Sequence, residues 1–261
     1  MSGPASLHYI AFPSLHETSI PISARLRFPD AESTNLPAVL ILHGSAGPSG
    51  REGGYAEALN AAGFATLEPD QWSARGLKGG SEGRPRTVME TLPDLYGARA
   101  FLAGHPRIDS SRIAVMGFSF GAVAAMLSAT KAYNSRYDGG FAAHMPVYPV
   151  CWVYNAVPGY EFANLVEAPI CIVTGALDQY DNDPEAAAKL VGSLAPEDRE
   201  RVEFHVMPEA HHGFDMPGAD FQIPDRMGNR GKGGGVVMRY NPQATARSHA
   251  LAVAFFSRTL K

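Results

Sequence analysis

Cysteine is scarce in this chain of 261 residues: only Cys151 and Cys171 occur. Two are too few for a disulfide framework, and they stand too far apart for a CxxC redox or zinc motif. Long apolar runs are missing as well; none approaches the roughly 18 residues a bilayer-crossing helix needs. The opening MSGPASLHYIAFPS has no basic segment leading into an apolar one, so it does not read as a secretory leader. Basic charge is not in excess, with 22 Lys and Arg against 26 Asp and Glu and a net charge of −4, which argues against a nucleic-acid partner. HExxH, a GxGxxG after a strand, a complete P-loop and an acidic calcium loop are all absent. The late GNRGKGGG lacks the Ser or Thr after lysine that a phosphate loop requires. These absences point to no metal, no cofactor and no membrane partner. The expected location is the cytoplasm, a leader removed upstream of Met1 being the open alternative, and no pattern specifies an oligomeric state.

What the chain does have is 45% apolar and 18% charged residues, enough to bury a large core. Short β-rich runs alternate with helical patterns, the signature of an α/β fold with a mostly parallel sheet and helices on both faces. HYIAF and ISARLRF read as half-exposed strands. The run Ala38 to Leu42 is continuously apolar, as expected of a strand covered on both faces. A helix is expected over Tyr55–Ala62, then a strand FATLE, a long helix over about Val88–Ala103, and, after the turn GHPRIDSS, a strand RIAVMG. FSFGAVAAMLSAT follows directly, apolar on every side, and reads as a buried central helix. FAAHMPVY, PICIVTG and RVEFHVM give three more strands, with helices near Pro184–Leu194 and Gln243–Thr259. No repeat interrupts this pattern, and residues 1–261 are expected to form a single domain. Two segments stand outside it. Residues 149–165 interleave prolines with Trp152, Tyr154, Tyr160 and Phe162 and suit a substrate-facing wall; residues 217–235, ending in glycines and basic residues, suit a mobile cover. A packed loop and a solvated loop are the plainer alternatives.

The chemistry gathers where strands are expected to end. Gly117-Phe118-Ser119-Phe120-Gly121 matches GxSxG between a strand and a helix, the setting of a nucleophile elbow. A serine needs a base, and the base a carboxylate to orient it. Asp178 follows the strand CIVTG, and His212 follows VEFHVM in the segment PEAHHGFD, so both fall at the same edge of a parallel sheet as Ser119. His211 is the alternative base. Asp181 and Asp183 suit capping of the helix after them, and Asp215 reads as loop surface. His43, His105 and His205 read as structural. For the oxyanion, the N–H of Phe120 and one from the loop His43-Gly44-Ser45-Ala46-Gly47 are expected, with Ser45 first and Ala46 second.

These segments, together with PDQWSARG and the closing YNPQATARSHALAVAFF, resemble the dienelactone hydrolase family of the α/β-hydrolase superfamily, from AVLILHG to Phe256. The resemblance implies an α/β-hydrolase fold with Ser119 as nucleophile, Asp178 as acid, His212 as base, and Ser45 and Phe120 as oxyanion donors. It also sets Arg75 near the position of an arginine that holds a substrate carboxylate; a loop-pinning arginine paired with Asp70 or Glu82 is the plainer reading. Best-known members carry a cysteine in the elbow and a glutamate where this chain has Gly44. The departure points away from dienelactone and towards a serine esterase acting on a small carboxylic ester or lactone. An amidase or peptidase on the same triad, and a catalytically silent binding protein of this fold, are the alternatives.

Overall fold

A computed structural model describes residues 6–80 and 82–261. Its main sheet holds β1 (Ser6–Pro13), β2 (Pro21–Phe28), β3 (Leu36–Leu42), β4 (Ala65–Asp70), β5 (Ile108–Phe118), β6 (His144–Val147), β7 (Ile170–Gly175) and β8 (Val202–Met207). Their order across the sheet is β1-β2-β4-β3-β5-β6-β7-β8. The first two strands form an antiparallel ribbon on one edge, and from β4 onward every pairing is parallel. The sheet reverses its winding order at β3, where the connections leave on opposite sides and a ligand crevice is expected at the strands' C-terminal ends.

Burial follows from position in this order. β2 alternates buried and solvent-facing residues, as an outer strand with one wet face should, whereas all seven residues of β3 are buried. Along β3 the side chains part to two cores. Leu40 and Leu42 pack with α2 (Leu92–Ala103) and α3 (Phe120–Ser128) on one face. Val39 and Ile41 pack on the other with Tyr55 and Leu59 of α1 (Gly50–Ala61) and with Phe255 and Phe256 of the C-terminal helix Pro242–Leu260. All nine residues of α3 are buried, which its alanine-rich, uniformly apolar sequence permits.

The chain departs from the periodicity in identifiable places. Helix α1 begins at Gly50 rather than near Tyr55, because Ser49 and Glu52 form a capping box that satisfies the first turn. The stretch expected as one helix from Val88 is a 3₁₀ turn, Val88–Thr91, followed by α2 with Pro93 in its first turn, the position proline tolerates best. Strand β5 starts at Ile108, inside the expected turn, because Ile108 pairs with Leu36 across a register shift. Within 217–235, where a cover without regular structure was expected, Asp220–Pro224 (β9) is a strand; it pairs antiparallel with β10 (Gly235–Arg239). No helix among the described residues is long and apolar enough to cross a membrane.

Candidate active site

Strand β5 ends at Phe118 and α3 begins at Phe120, so Ser119 alone makes the turn, at φ 52° and ψ −112°. Such a conformation costs a residue with a Cβ about 1–3 kcal/mol and persists only where the surroundings enforce it. The enforcement comes from Gly121, where a Cβ would sit 2.5 Å from the His43 carbonyl, and from Gly117, where a Cβ would collide with the Gly121 carbonyl. Strand and helix can approach this closely only through glycine, and the approach leaves the Ser119 side chain projecting above the sheet edge.

The ends of β7 and β8 bring the other two residues to it. His212 Nε2 lies 2.8 Å from Ser119 Oγ, and His212 Nδ1 lies 2.7 Å from Asp178 Oδ2. An ionised carboxylate can only accept, so Nδ1 carries the proton and Nε2 is free to accept from the serine hydroxyl. Asp178 Oδ1 accepts the Tyr180 N–H at 2.8 Å, and the His212 ring is held between Tyr148 and Tyr180, with centroids 4.6 and 4.3 Å away. Asp178 is 4% and His212 2% exposed. His211 does not reach Ser119.

Two nearby carboxylates differ from their expected roles. Asp181 does not cap the following helix: it is buried and accepts the N–H groups of Cys151 and Trp152 at 3.1 and 2.8 Å. Burial and the Asp178 charge push it up to about 7. Asp183 takes the local role instead, accepting the Glu185 N–H. Asp215 is not on the surface. It accepts from Tyr148 Oη at 2.6 Å and Tyr55 Oη at 2.8 Å, and Arg51 Nη1 donates to the same Tyr148 hydroxyl at 2.9 Å.

His43 is structural, as its sequence context implied. Its Nδ1–H donates to the Gly44 carbonyl at 2.8 Å and its Nε2 accepts the Gln71 N–H at 3.1 Å. Burial pushes it down to about 4 and keeps it neutral. The Ser45 carbonyl accepts from Trp72 Nε1 at 3.0 Å and the Gly80 N–H at 2.7 Å. A trans peptide directs its N–H away from its carbonyl, so these contacts turn the Ala46 N–H, which shares that peptide, to the opposite side; the Gly44 carbonyl, whose peptide carries the Ser45 N–H, is likewise engaged, by the Gly47 N–H at 3.1 Å and His43 Nδ1 at 2.8 Å. Among the described residues, none of the Ser45, Ala46 and Phe120 N–H groups donates within the chain.

Ser119 stands where two arms of a cleft meet, each open to solvent. The first arm is bordered by Phe120, Val150, Val153 and Tyr160, with Arg84, Arg86 and Arg226. The second holds His212, Ser45 and Arg51 beside Met216, Phe221 and Ile223. Segments 149–165 and 217–235 therefore both contribute walls.

Trp152 and Arg75 are not among those walls. Trp152 rests its ring on Gly231, beside a separate cavity reached from Asp181 and Lys189; the tether of its own N–H to Asp181 turns it away. Arg75 forms an ion pair with buried Asp94 at 2.8 Å and donates to the Gln71 carbonyl. It pins the loop after β4, with a partner that is neither Asp70 nor Glu82. The sequence reading also missed Tyr148, Arg51 and the arginines of the first arm. Only Arg51 had a local signal, since SGRE is a capping-box pattern that sets it in the first turn of α1. Among the described residues one group could hold a metal by proximity, Cys171, Glu203 and His205. Its carboxylate is engaged by both oxygens with Arg258 at 2.8 Å, and it lies away from Ser119.

An α/β sheet with an elbow serine, a histidine and an aspartate in line at one edge defines the architecture of a hydrolase. The dienelactone hydrolase family matches residues 22–260. The chain belongs to this family. Uncharacterized protein Rv2307c of Mycobacterium tuberculosis is 29% identical over 196 residues, which span 71% of this chain and 66% of that protein. Among solved structures, the dienelactone hydrolase-like promiscuous phosphotriesterase P91 from metagenomic libraries is 17% identical with a TM-score of 0.68, covering 99% of this chain and all of that one (100%). Est1E from Butyrivibrio proteoclasticus is 15% identical with a TM-score of 0.62, covering 97% and 98%. At these identities the likeness is one of fold.

Proposed function

We propose that the protein is a serine hydrolase that cleaves a small carboxylic ester or lactone, and that residues 1–261 act as one catalytic domain. The observation that carries this reading is the unbroken pair of short hydrogen bonds, 2.8 and 2.7 Å, from Ser119 through His212 to Asp178. In the first half-reaction the Ser119 oxygen forms a bond to the ester carbonyl carbon while His212 Nε2 takes the hydroxyl proton. Asp178 holds the tautomer and stabilises the imidazolium. The oxyanion is met by the N–H of Phe120 and by that of Ser45, or of Ala46 beside it. The carbon–oxygen bond to the alcohol then breaks, and His212 returns the proton to the departing alcohol. Water, deprotonated by His212, releases the acid from Ser119 in the second half-reaction. The residues named in this cycle need no metal or cofactor.

Hydrolysis of short p-nitrophenyl esters, set beside the matching p-nitroanilides, tests the reading. An esterase turns over the esters and leaves the anilides nearly untouched, because an amine is a far poorer leaving group. Comparable rates on both would make it an amidase. The absence of both turnover and a burst with any activated acyl compound would make it a binding protein on a hydrolase scaffold.

A further inference from the structure

The charge around Ser119 is distributed unevenly. The chain as a whole is acidic, at −4, yet among the described residues no aspartate or glutamate lines either arm of the cleft, and four arginines do. Two of these have their charge answered. Arg51, in the second arm, is buried beside Glu52 at 3.3 Å and reaches Asp215 through Tyr148. Arg84, in the first arm, lies 4.0 Å from Asp225 and over the Phe120 ring. Arg86 and Arg226, both exposed and both in the first arm, have no carboxylate partner among the described residues. The surplus positive charge of the site is therefore confined to one arm. The other arm presents Met216, Phe221, Ile223 and Met238.

His212 lines the second arm and not the first. If the triad acts as proposed above, the group that leaves must point towards His212 to receive its proton. The alcohol half of the ester then occupies the apolar arm and the acyl half the arginine arm. We infer that the substrate is a half-ester: its acyl portion carries a second anionic group, a carboxylate in the simplest case, held by Arg86 and Arg226, and its alcohol portion is apolar. Planar guanidinium groups suit bidentate carboxylate binding, and their unpaired charge attracts an anion into the cleft before contact. The products are a dicarboxylate and a neutral alcohol, the acyl–oxygen bond breaking and one water being consumed.

The inference rests on the hydrolase reading, and three phenyl-type esters separate the two. Phenyl hydrogen adipate carries the anion in its acyl half, phenyl hexanoate is its neutral counterpart, and the hexanoyl ester of para-hydroxybenzoate carries the anion in the leaving group. kcat/KM for the adipate is expected to exceed that for the hexanoate by about tenfold or more, the worth of one or two charge-assisted hydrogen bonds. The advantage should shrink as salt is raised. In the double variant Arg86→Gln, Arg226→Gln the adipate-to-hexanoate ratio should fall towards one; both side chains are exposed, so the fold does not depend on them. A preference for the hexanoate, or a ratio that survives the double substitution, overturns the anion site and leaves the hydrolase reading standing. A preference for the para-hydroxybenzoate ester overturns the assignment of the two halves. Turnover of none of the three overturns the hydrolase reading and this inference with it.

Discussion

Tyr148 does two things for His212 at once: its ring packs 4.6 Å from the imidazole, and its hydroxyl, 2.6 Å from Asp215 Oδ1, anchors that ring to a carboxylate other than Asp178. The same hydroxyl accepts from Arg51. Tyr148→Phe keeps the ring and strips a buried arginine and a buried aspartate of one partner each, so a loss of about 2–4 kcal/mol in denaturant unfolding is expected with kcat largely retained. Tyr148→Leu removes the ring as well and should lower kcat further. Stability within 0.5 kcal/mol of wild type for Tyr148→Phe, a change typical of neutral surface sites, would contradict the network.

Two buried histidines set an acid limit on stability. Burial pushes His43 and His144 each down to about 4 from an ordinary 6.5. Between those values the unfolded chain binds protons that the folded chain refuses, so each contribution is fully present above the ordinary pKa and declines as the pH falls towards 4. Asp181, raised to about 7, acts in the opposite sense, taking its proton first in the folded chain. His144→Gln keeps a donor for the Ala125 carbonyl, which His144 Nδ1 contacts at 3.1 Å. The variant should lose about 2–3 kcal/mol less than wild type between pH 7 and 4.5. Parallel pH profiles would mean that His144 is not a buried neutral base.

Arg75 tests whether an arginine beside the site acts on substrate or on the fold. It pairs with Asp94, whose side chain has no solvent exposure. Arg75→Ala strands that carboxylate and should cost about 2–4 kcal/mol in unfolding free energy. Its effect on kcat/KM should be the same for phenyl hydrogen adipate and phenyl hexanoate. A selective loss with the adipate would return Arg75 to the substrate site.

The parts legible in the sequence were those set by local pattern. The apolar run of β3 announced a strand covered on both faces, and Gly117, Ser119 and Gly121 announced the sharp turn. Asp178 and His212 followed from strand ends, because a parallel sheet gathers those ends at one edge. The rest depended on contacts between residues far apart in the chain. Asp215 reads as an ordinary loop acid until Tyr55 and Tyr148 converge on it, and Asp181 reads as a helix cap until Cys151 and Trp152 bring their N–H groups to it. Arg75 and Arg86 lie eleven residues apart in one connecting segment, and only tertiary packing sends the first to Asp94 and the second to the cleft. Pairing of β9 with β10 was hidden by the glycines between them.

The central claim is a covalent bond from Ser119 to the acyl group, and mass spectrometry of the quenched enzyme tests it most directly. After brief reaction with p-nitrophenyl acetate and acid quenching, the intact protein should gain one acetyl group, and peptide mapping should locate it on the fragment containing Ser119. Asp178→Asn, which favours the wrong histidine tautomer, should slow its formation by orders of magnitude, and Ser119→Ala should show neither adduct nor turnover. An acetyl group on another residue such as Cys151, or full turnover by Ser119→Ala, would contradict the account.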